Sequence, residues 1–234
     1  MNSKDLKIFG SGSSGGGDFN KAIIRGEGTV TDDINCQSFK VFGTGVAMGS
    51  VESESFDIFG TIEIHGNLQS DAIKILGTMS ADGDVAGNKI KIRGTADAGG
   101  NVTGGDIKVK GSLSVKGDCE VETFITDGSF DIGGLLNADK VDIEMKYGKS
   151  SVKEMGGEEI QVKRKSSFLG INKQIGCLDV QIIEGDNIYV EYTNAAVIRG
   201  KKVEIGPGCE IGLVEYNEQF NCAKNSIVKQ QIKL

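Results

Sequence analysis

The side chains that most often carry out catalysis or hold metal ions are scarce in this sequence of 234 residues. His65 is its single histidine. A Ser–His nucleophile would have to use this residue, and a histidine-based metal site would gain only one ligand from it. The apolar alternation around His65 predicts an outward strand position, where a lone histidine is usually a surface residue. We therefore predict no catalytic residue and no metal site.

Other candidate groups for chemistry are equally weak. The glycine-rich stretch from Gly10 to Gly17 lacks the strand–helix context of a nucleotide-binding loop. Carboxylates are plentiful, but they follow the pattern of turns and faces instead of forming a cluster. We therefore predict that the protein is not an enzyme and uses no cofactor. The cysteines lack the close pairs of a zinc knuckle, which predicts free thiols at Cys36, Cys119, Cys177, Cys209 and Cys222.

Charge and hydropathy restrict the partners and the compartment. The net charge is −7 and the pI is about 4.9, which argues against general nucleic-acid binding. The first residues contain no apolar run long enough for a signal peptide. No segment approaches the roughly 18 apolar residues of a membrane-spanning helix. These features predict a cytoplasmic protein that does not bind nucleic acid.

The elements that would position any site follow from a glycine that recurs at every seventeenth position. A fixed period of this size indicates a repeat architecture in which each repeat is one structural unit. A second glycine series lies six residues after the first. The first series consists of Gly26, Gly43, Gly60, Gly77, Gly94, Gly111 and Gly128.

Within each repeat, apolar residues alternate with period two and the two glycines interrupt the alternation. This pattern predicts three short half-buried strands joined by bends, with glycine where a Cβ would clash. Asn or Asp often follows the second glycine and tolerates a tight turn. Asn and Asp alternate at this position from one coil to the next, which keeps the Asp carboxylates two coils apart. The sequence therefore predicts an all-β fold, a single-stranded triangular parallel β-helix in which one repeat of seventeen positions forms each coil.

The period fails near Met145, and later segments are less regular. Ser151–Lys165 contains two apolar-alternating stretches around Gly156 and Gly157, which predicts a hairpin that projects from the helix. Ile188 and Ile205 are again separated by one full period. The predicted segments are an N-terminal segment with the first coil (1–21), a regular β-helix (22–147), the hairpin insertion (148–177), degenerate coils (178–216) and a tail (217–234).

Repeat units such as FDIFGTIEIHGNLQSDA and IKVKGSLSVKGDCEVET resemble those of bactofilins, bacterial polymer-forming cytoskeletal proteins. The resemblance covers residues 20–145 well and the C-terminal coils less well. It implies a right-handed β-helix whose copies assemble end to end into nonpolar filaments without nucleotide. It also implies a scaffold for cell shape, polarity, division or motility, with client proteins and peripheral association with the membrane. This chain is longer than a minimal bactofilin and shows no apolar membrane-targeting peptide at its N-terminus.

The ends of a solenoid expose strand edges and core unless they are capped, and no capping helix is recognisable in the sequence. A second copy could satisfy those edges, which predicts an end-to-end homopolymer. The candidate contact residues at the first end are Ile8, Phe9, Phe19 and Ile23. Those at the other end are Leu213, Val214, Tyr216 and Phe220. Two alternatives stay open: these eight residues only fill the terminal core, or the segment 226–234 folds back as a cap.

Outward positions predict two further surfaces on the solenoid. Phe42, Phe59 and Leu76 fall in one outward column. Either the hairpin or the terminal segment of the same chain covers this column, or it is a contact surface for a lateral partner or a client protein. Outward residues of the first strand of each coil are basic, and those of the third strand are acidic. This charge segregation could order lateral contacts between filaments or hold the protein near an anionic membrane, or it could be an ordinary solvated surface. The basic residues are Lys74, Lys91, Arg93, Lys108 and Lys110, with Lys40 preceding them.

The function that these patterns favour is a cytoplasmic scaffold that polymerises without nucleotide. A β-helical binding module that does not polymerise is the main alternative. A hexapeptide-repeat acyltransferase would need a six-residue period and a catalytic histidine, whereas the glycines here are spaced by six and then eleven residues. A secreted adhesin would need an export signal.

Overall fold

A computed structural model describes residues 4–146, 148–165 and 176–234, and all regular structure in these ranges is β. The chain divides into two compact units, Met1–Gly117 and Asp118–Leu234. In each unit the strands pair in parallel with strands of the next coil. Each unit is therefore a parallel β-solenoid, which confirms the predicted fold class. No helix capable of crossing a membrane occurs in the described ranges.

The first unit alternates long and short strands. They are β1 (Leu6–Ser14), β2 (Gly17–Val30), β3 (Ile34–Val41), β4 (Thr44–Ala47), β5 (Val51–Ile58), β6 (Thr61–Ile64), β7 (Leu68–Ile75), β8 (Thr78–Ala81), β9 (Val85–Ile92), β10 (Thr95–Ala98), β11 (Val102–Val109) and β12 (Ser112–Val115). From β2 onward, paired residues are one full period apart, as in Ile34 beside Val51 and Phe39 beside Phe56. The offset between β1 and β2 is one position shorter, with Leu6 beside Ala22.

The coil formed by β5 and β6 shows how sequence determines the three faces. Apolar and small side chains alternate inward, but the alternation slips by one residue after Ser53, so that Glu54 and Ser55 both lie outside. This slip is the third corner of the coil. It carries no glycine and lies within a continuous strand. The inward side chains of the coil are Val51, Ser53, Phe56, Ile58, Ile62 and Ile64.

Glycine recurs in the first series because the backbones of successive coils approach closely at the corner that this series occupies. A Cβ on Gly94 would lie 1.9 Å from the carbonyl oxygen of Gly77, well inside van der Waals contact. Gly94 does not have a positive φ, so close stacking is what requires glycine there. Gly26 differs, since its φ of 117° itself favours glycine.

At the second glycine corner, polar side chains form a ladder from coil to coil. The backbone N–H of Asn67 donates to Ser50 Oγ (3.1 Å), and that of Asp84 donates to Asn67 Oδ1 (2.9 Å). The next step joins Asn101 N–H to Asp84 Oδ1 at 2.7 Å. Side-chain acceptors therefore satisfy backbone donors that no strand pairs, which explains these residue types beyond turn tolerance and charge spacing.

Replacing Asn67 with Ala is expected to lower the free energy of unfolding by about 1 kcal/mol, because Asp84 N–H loses its acceptor. The melting temperature should fall by about 2–4 °C. Asn88→Ala is the matched control, since the exposed Asn88 side chain makes no hydrogen bond within the described ranges. Thermal melts followed by circular dichroism test this. Equal melting temperatures for the two variants would contradict a structural role for the ladder.

The second unit has longer and less uniform coils. Its strands are β13 (Cys119–Thr126), β14 (Ser129–Met145), β15 (Lys149–Arg164), β16 (Cys177–Val190), β17 (Thr193–Ile205), β18 (Glu210–Cys222) and β19 (Ile227–Lys233). Paired residues of β13 and β14 keep the full period, as in Cys119 beside Leu136. Those of β16 and β17 are two positions closer in sequence, as in Leu178 beside Thr193.

The predicted hairpin at Ser151–Lys165 is wrong. This segment forms the single strand β15, which pairs in parallel with β14 on one side and with β16 on the other. Met155 stacks beside Leu136, and Gly157 marks a corner where a Cβ would lie 2.3 Å from the carbonyl oxygen of Ala138. Gly156 and Gly157 therefore turn the chain around a solenoid coil instead of reversing it. The rest of the predicted insertion, 166–175, lies outside the described residues.

The predicted tail, 217–234, is also part of the solenoid. The second half of β18 and all of β19 fall in this segment, and β19 pairs in parallel with Glu210–Tyr216. Val228 stacks beside the buried Ile211. The segment therefore adds a further coil to the second unit.

Candidate assembly and binding surfaces

The first coil of the first unit has a free strand edge. β1 pairs with Ala22–Val30 of β2, and Gly17–Lys21 of β2 pair with β3. No strand in the described ranges pairs with the opposite edges of these segments. Phe19 points inward beside the buried Cys36, yet it stays half-buried because no described strand covers it. Asn20 N–H on this side donates to the carbonyl oxygen of Lys4 at 3.0 Å, but among the described residues β1 has no partner on its outer edge. The described part of this end therefore has a free strand edge and an incompletely covered core.

The last coil of the second unit has an equivalent free edge. Gln219–Cys222 of β18 pair with β17, and no described strand lies on their other side. Phe220 and Cys222 continue the inward columns of Val203 and Ile205, which are 1% exposed. Phe220 itself is half-buried and Cys222 is exposed, so the apolar column is open at this end.

The structure places the eight predicted end residues in different environments. Ile8, Phe9, Phe19 and Phe220 lie on segments with a free edge, and of these Ile8, Phe19 and Phe220 point inward. Val214 is fully buried beneath β19, which corrects its placement at the terminal surface: the segment predicted as a tail covers it. Phe9 points outward and is 61% exposed on a lateral face. The others are half-buried side chains of β2 or β18, namely Ile23, Leu213 and Tyr216.

One lateral face of the first unit is strongly basic. We define the basic face as the outward residues at the coil positions of Ser55, Asp57 and Phe59, on or directly beside β1, β2, β3, β5, β7, β9 and β11. It carries three carboxylates, those of Asp5, Asp57 and Asp106. Its cations are Lys7, Lys21, Arg25, Lys40, Lys74, Lys89, Lys91, Arg93, Lys108 and Lys110.

Most of these cations have no carboxylate partner. Lys7 pairs with Asp5 at 2.9 Å and Lys40 with Asp57 at 3.0 Å. Within the described part of the chain, the other eight cations of the basic face form no salt bridge. The face therefore presents a surplus of positive charge to solvent. Six of its cations were predicted from the sequence, namely Lys40, Lys74, Lys91, Arg93, Lys108 and Lys110.

Phenylalanines stack in a column through the basic face. The rings of Phe42 and Phe59 are parallel, with centroids 4.9 Å apart and 3° between their planes. The Arg25 guanidinium lies 5.0 Å from the Phe42 centroid and 5.9 Å from that of Phe9. At the other end Lys74 Nζ is 5.8 Å from the Phe59 centroid. We call Phe9, Arg25, Phe42 and Phe59 the aromatic column.

The aromatic column is exposed. Phe42 and Phe59 are 45% and 44% exposed, and the hairpin predicted as their cover is not formed. Leu76 follows Phe59 in the same outward series and is half-buried. The sequence prediction missed Phe9 and Arg25 as members, although Arg25 lies one full period before Phe42.

The remaining chemical groups are dispersed. His65 Nδ1 lies 2.8 Å from Asp82 Oδ2, and both residues are exposed. In the described ranges, no three His, Cys, Asp or Glu side chains are placed to hold a metal ion. All five cysteines are free. Burial raises the pKa of the Cys119 thiol to about 12 and that of Cys36 to about 11.

The fold and its surfaces define a parallel β-solenoid protein, and comparisons place it among known sequences. The uncharacterized protein YhbE of Bacillus subtilis (strain 168) is 52% identical over 231 residues, which cover 98% of each chain. The chain therefore belongs to the same family as YhbE. The uncharacterized protein YhbF of the same organism is 46% identical over 101 residues, 43% of this chain and 42% of YhbF. No family model and no solved structure matches the chain.

Proposed function

We propose that the protein is a structural scaffold of the bactofilin type, whose copies polymerise end to end without nucleotide. The observation that carries this proposal is the free strand edge on the terminal coil of each unit. Unpaired strand edges are templates for pairing with another chain. Alternating contacts between like ends would extend into the nonpolar filament that the resemblance implies, and a contact between unlike ends would repeat along a filament when its symmetry does not close into a ring.

The terminal side chains add an apolar contribution to the edges. Phe220 packs against Tyr216, with ring centroids 5.4 Å apart, and the rest of its surface is accessible at the end of the inward column. Phe19 is the comparable inward aromatic residue on the first coil. Another copy would bury both the hydrogen-bonding edge and these rings. The role of such a polymer in cell morphogenesis, polarity or motility is proposed from the resemblance to bactofilins.

Negative-stain electron microscopy of the purified protein in near-physiological salt, without nucleotide, tests the proposal. We expect filaments a few nanometres wide. Phe220→Arg should give discrete particles, because a charge at the end of the inward column opposes burial by another copy. Met48→Arg is the matched control, since Met48 is 51% exposed on a lateral surface, and this variant should still form filaments.

One observation favours the alternative of a binding module that does not polymerise. Gln231 occupies the inward position of the last coil beside the buried Val214. A polar residue there is typical of the capping repeats that keep solenoids soluble. Discrete wild-type particles across a wide concentration range would support this alternative and contradict the polymer. Filaments of Phe220→Arg equal to those of the wild type would contradict the assignment of this end.

A further inference from the structure

We propose that a cluster of lysine and arginine side chains at one end of the basic face binds linear inorganic polyphosphate, a polymer that consists of phosphate groups alone. The site lies on a lateral face. The proposal therefore does not rest on the end-to-end assembly proposed above.

The site occupies three neighbouring coils of the first unit. β7, β9 and β11, with the residue that follows each strand, provide nine outward positions of the basic face. Lys74, Lys91 and Lys108 lie directly beside one another in the strand register and form a column across the three coils. The other cations flank this column. We call the six cations at these positions the cation grid, namely Lys74, Lys89, Lys91, Arg93, Lys108 and Lys110.

The charges of the cation grid are not balanced by neighbouring carboxylates. All six side chains are exposed, and none forms a salt bridge in the part of the chain that the structure describes. Asp106 is the one carboxylate among the nine positions, which leaves a surplus of five positive charges. Asp57 precedes Lys74 in its column, but Lys40 already contacts the Asp57 carboxylate at 3.0 Å.

This unbalanced column favours an anion that spans several coils. Strands of adjacent coils are about 4.8 Å apart, and like charges placed directly opposite one another destabilise a sheet. A polymeric anion along the column would relieve this repulsion. Consecutive groups of polyphosphate share a bridging oxygen, so its negative charges are close enough together to contact cations on neighbouring coils.

The side chains of the site offer charge and little else. Apart from the six cations and Asp106, the nine positions hold Ala72 and the half-buried Leu76. Among them is no aromatic ring on which a base could stack and no amide that could contact a base edge. Five of the six cations are lysines, which contact phosphate as point charges. A chain of phosphates without bases matches these properties better than a nucleic acid does.

The number of contacts explains why the ligand should be a polymer. A single exposed ion pair contributes little to binding. When many phosphates belong to one chain, each contact after the first is intramolecular, so the affinity increases with chain length. Orthophosphate has the same chemistry but lacks this advantage.

Fluorescence anisotropy of an end-labelled, long-chain polyphosphate titrated with the full chain tests the proposal. We expect binding that weakens as salt is raised, because the contacts release counterions. Orthophosphate at the same concentration of phosphate groups should not displace the labelled polymer. Combining Lys91→Gln, Lys108→Gln and Lys110→Gln should raise the dissociation constant at least about tenfold. These lysines lie outside the aromatic column and away from the free strand edges, so the fold should be retained.

The control variant makes the same change in net charge elsewhere. Lys116→Gln, Lys153→Gln and Lys224→Gln alter three exposed lysines outside the basic face, none of which forms a salt bridge within the described ranges. This variant should bind polyphosphate like the wild type. Circular dichroism would verify that both triple variants keep the β-solenoid.

Three results would overturn the proposal. The first is equal weakening in the two triple variants, and the second is unchanged binding in the Lys91, Lys108 and Lys110 variant. The third is displacement by orthophosphate, which would mean that the site holds single anions. Equal or tighter binding of a single-stranded oligonucleotide with the same number of phosphates would replace polyphosphate with nucleic acid. Equal binding of polyglutamate would replace it with an acidic protein segment.

Discussion

Replacing Phe56 with Asp should unfold the first unit. Phe56 is completely buried, and its ring stacks on that of Phe39 with centroids 5.4 Å apart. Loss of the ring costs about 3–5 kcal/mol, and a carboxyl group without a partner adds a further penalty. The total is comparable to the whole stability of a typical domain, about 5–15 kcal/mol. Far-UV circular dichroism and limited proteolysis at room temperature measure the loss.

Phe59→Asp is the matched control, three residues along the same chain. Phe59 points outward and is 44% exposed, so the same chemical change should lower the free energy of unfolding by only about 1–2 kcal/mol, mainly through loss of the stack on Phe42. Ile75→Asp and Ile92→Asp, at inward positions, should behave like Phe56→Asp. Wild-type stability in these inward variants would refute the assignment of inward and outward positions.

Replacing Gly94 with Ala should give the second largest effect. The new Cβ would lie 1.9 Å from the carbonyl oxygen of Gly77 and 2.8 Å from that of Leu76, so neighbouring coils would have to separate. Overpacking against backbone should cost about 3 kcal/mol or more. The melting temperature should then fall by about 6–12 °C, measured by differential scanning calorimetry.

Gly12→Ala provides the comparison for this change. A Cβ at Gly12 would meet only Ile8 Cγ2, at the ordinary contact distance of 3.5 Å, and its φ lies outside the left-handed region. Alanine should therefore be neutral or slightly stabilising there, through the lower entropy of the unfolded chain. If Gly94→Ala melts at the same temperature as Gly12→Ala, close stacking does not explain the first glycine series.

The regular coils were predictable because they all have the same repeat length. The fixed period placed Phe56, Ile75 and Ile92 inward, and all three are buried. The hairpin error arose because alternation on both sides of Gly156 and Gly157 is the same for a chain reversal and for a solenoid corner. Local periodicity does not reveal which strand is the partner.

The last coil and part of the aromatic column were missed for different physical reasons. Ile227 is outward and exposed while the inward position nearby is polar Gln231, so the segment lacks the usual apolar alternation. The first coil is one residue shorter than the other coils of the first unit, since Gly10 pairs with Gly26. Counting back one full period from Arg25 therefore misses Phe9. Stacking between rings and cations depends on side-chain orientation, which periodicity does not specify.

The hydrogen-bond ladder at the second glycine corner has a consequence for how such a chain can change during evolution. Each rung joins a residue to its equivalent one coil away, from Ser50 to Asn67 and from Asn67 to Asp84. Deletion or duplication of one whole coil would rejoin every rung, glycine contact and inward column in register. A change by another length would have to be absorbed at a corner, as in the shorter coils at the start of the first unit and in the second unit. Insertions and deletions of one whole coil should therefore be tolerated best in the regular part, and related proteins could differ in the number of coils while keeping the same core.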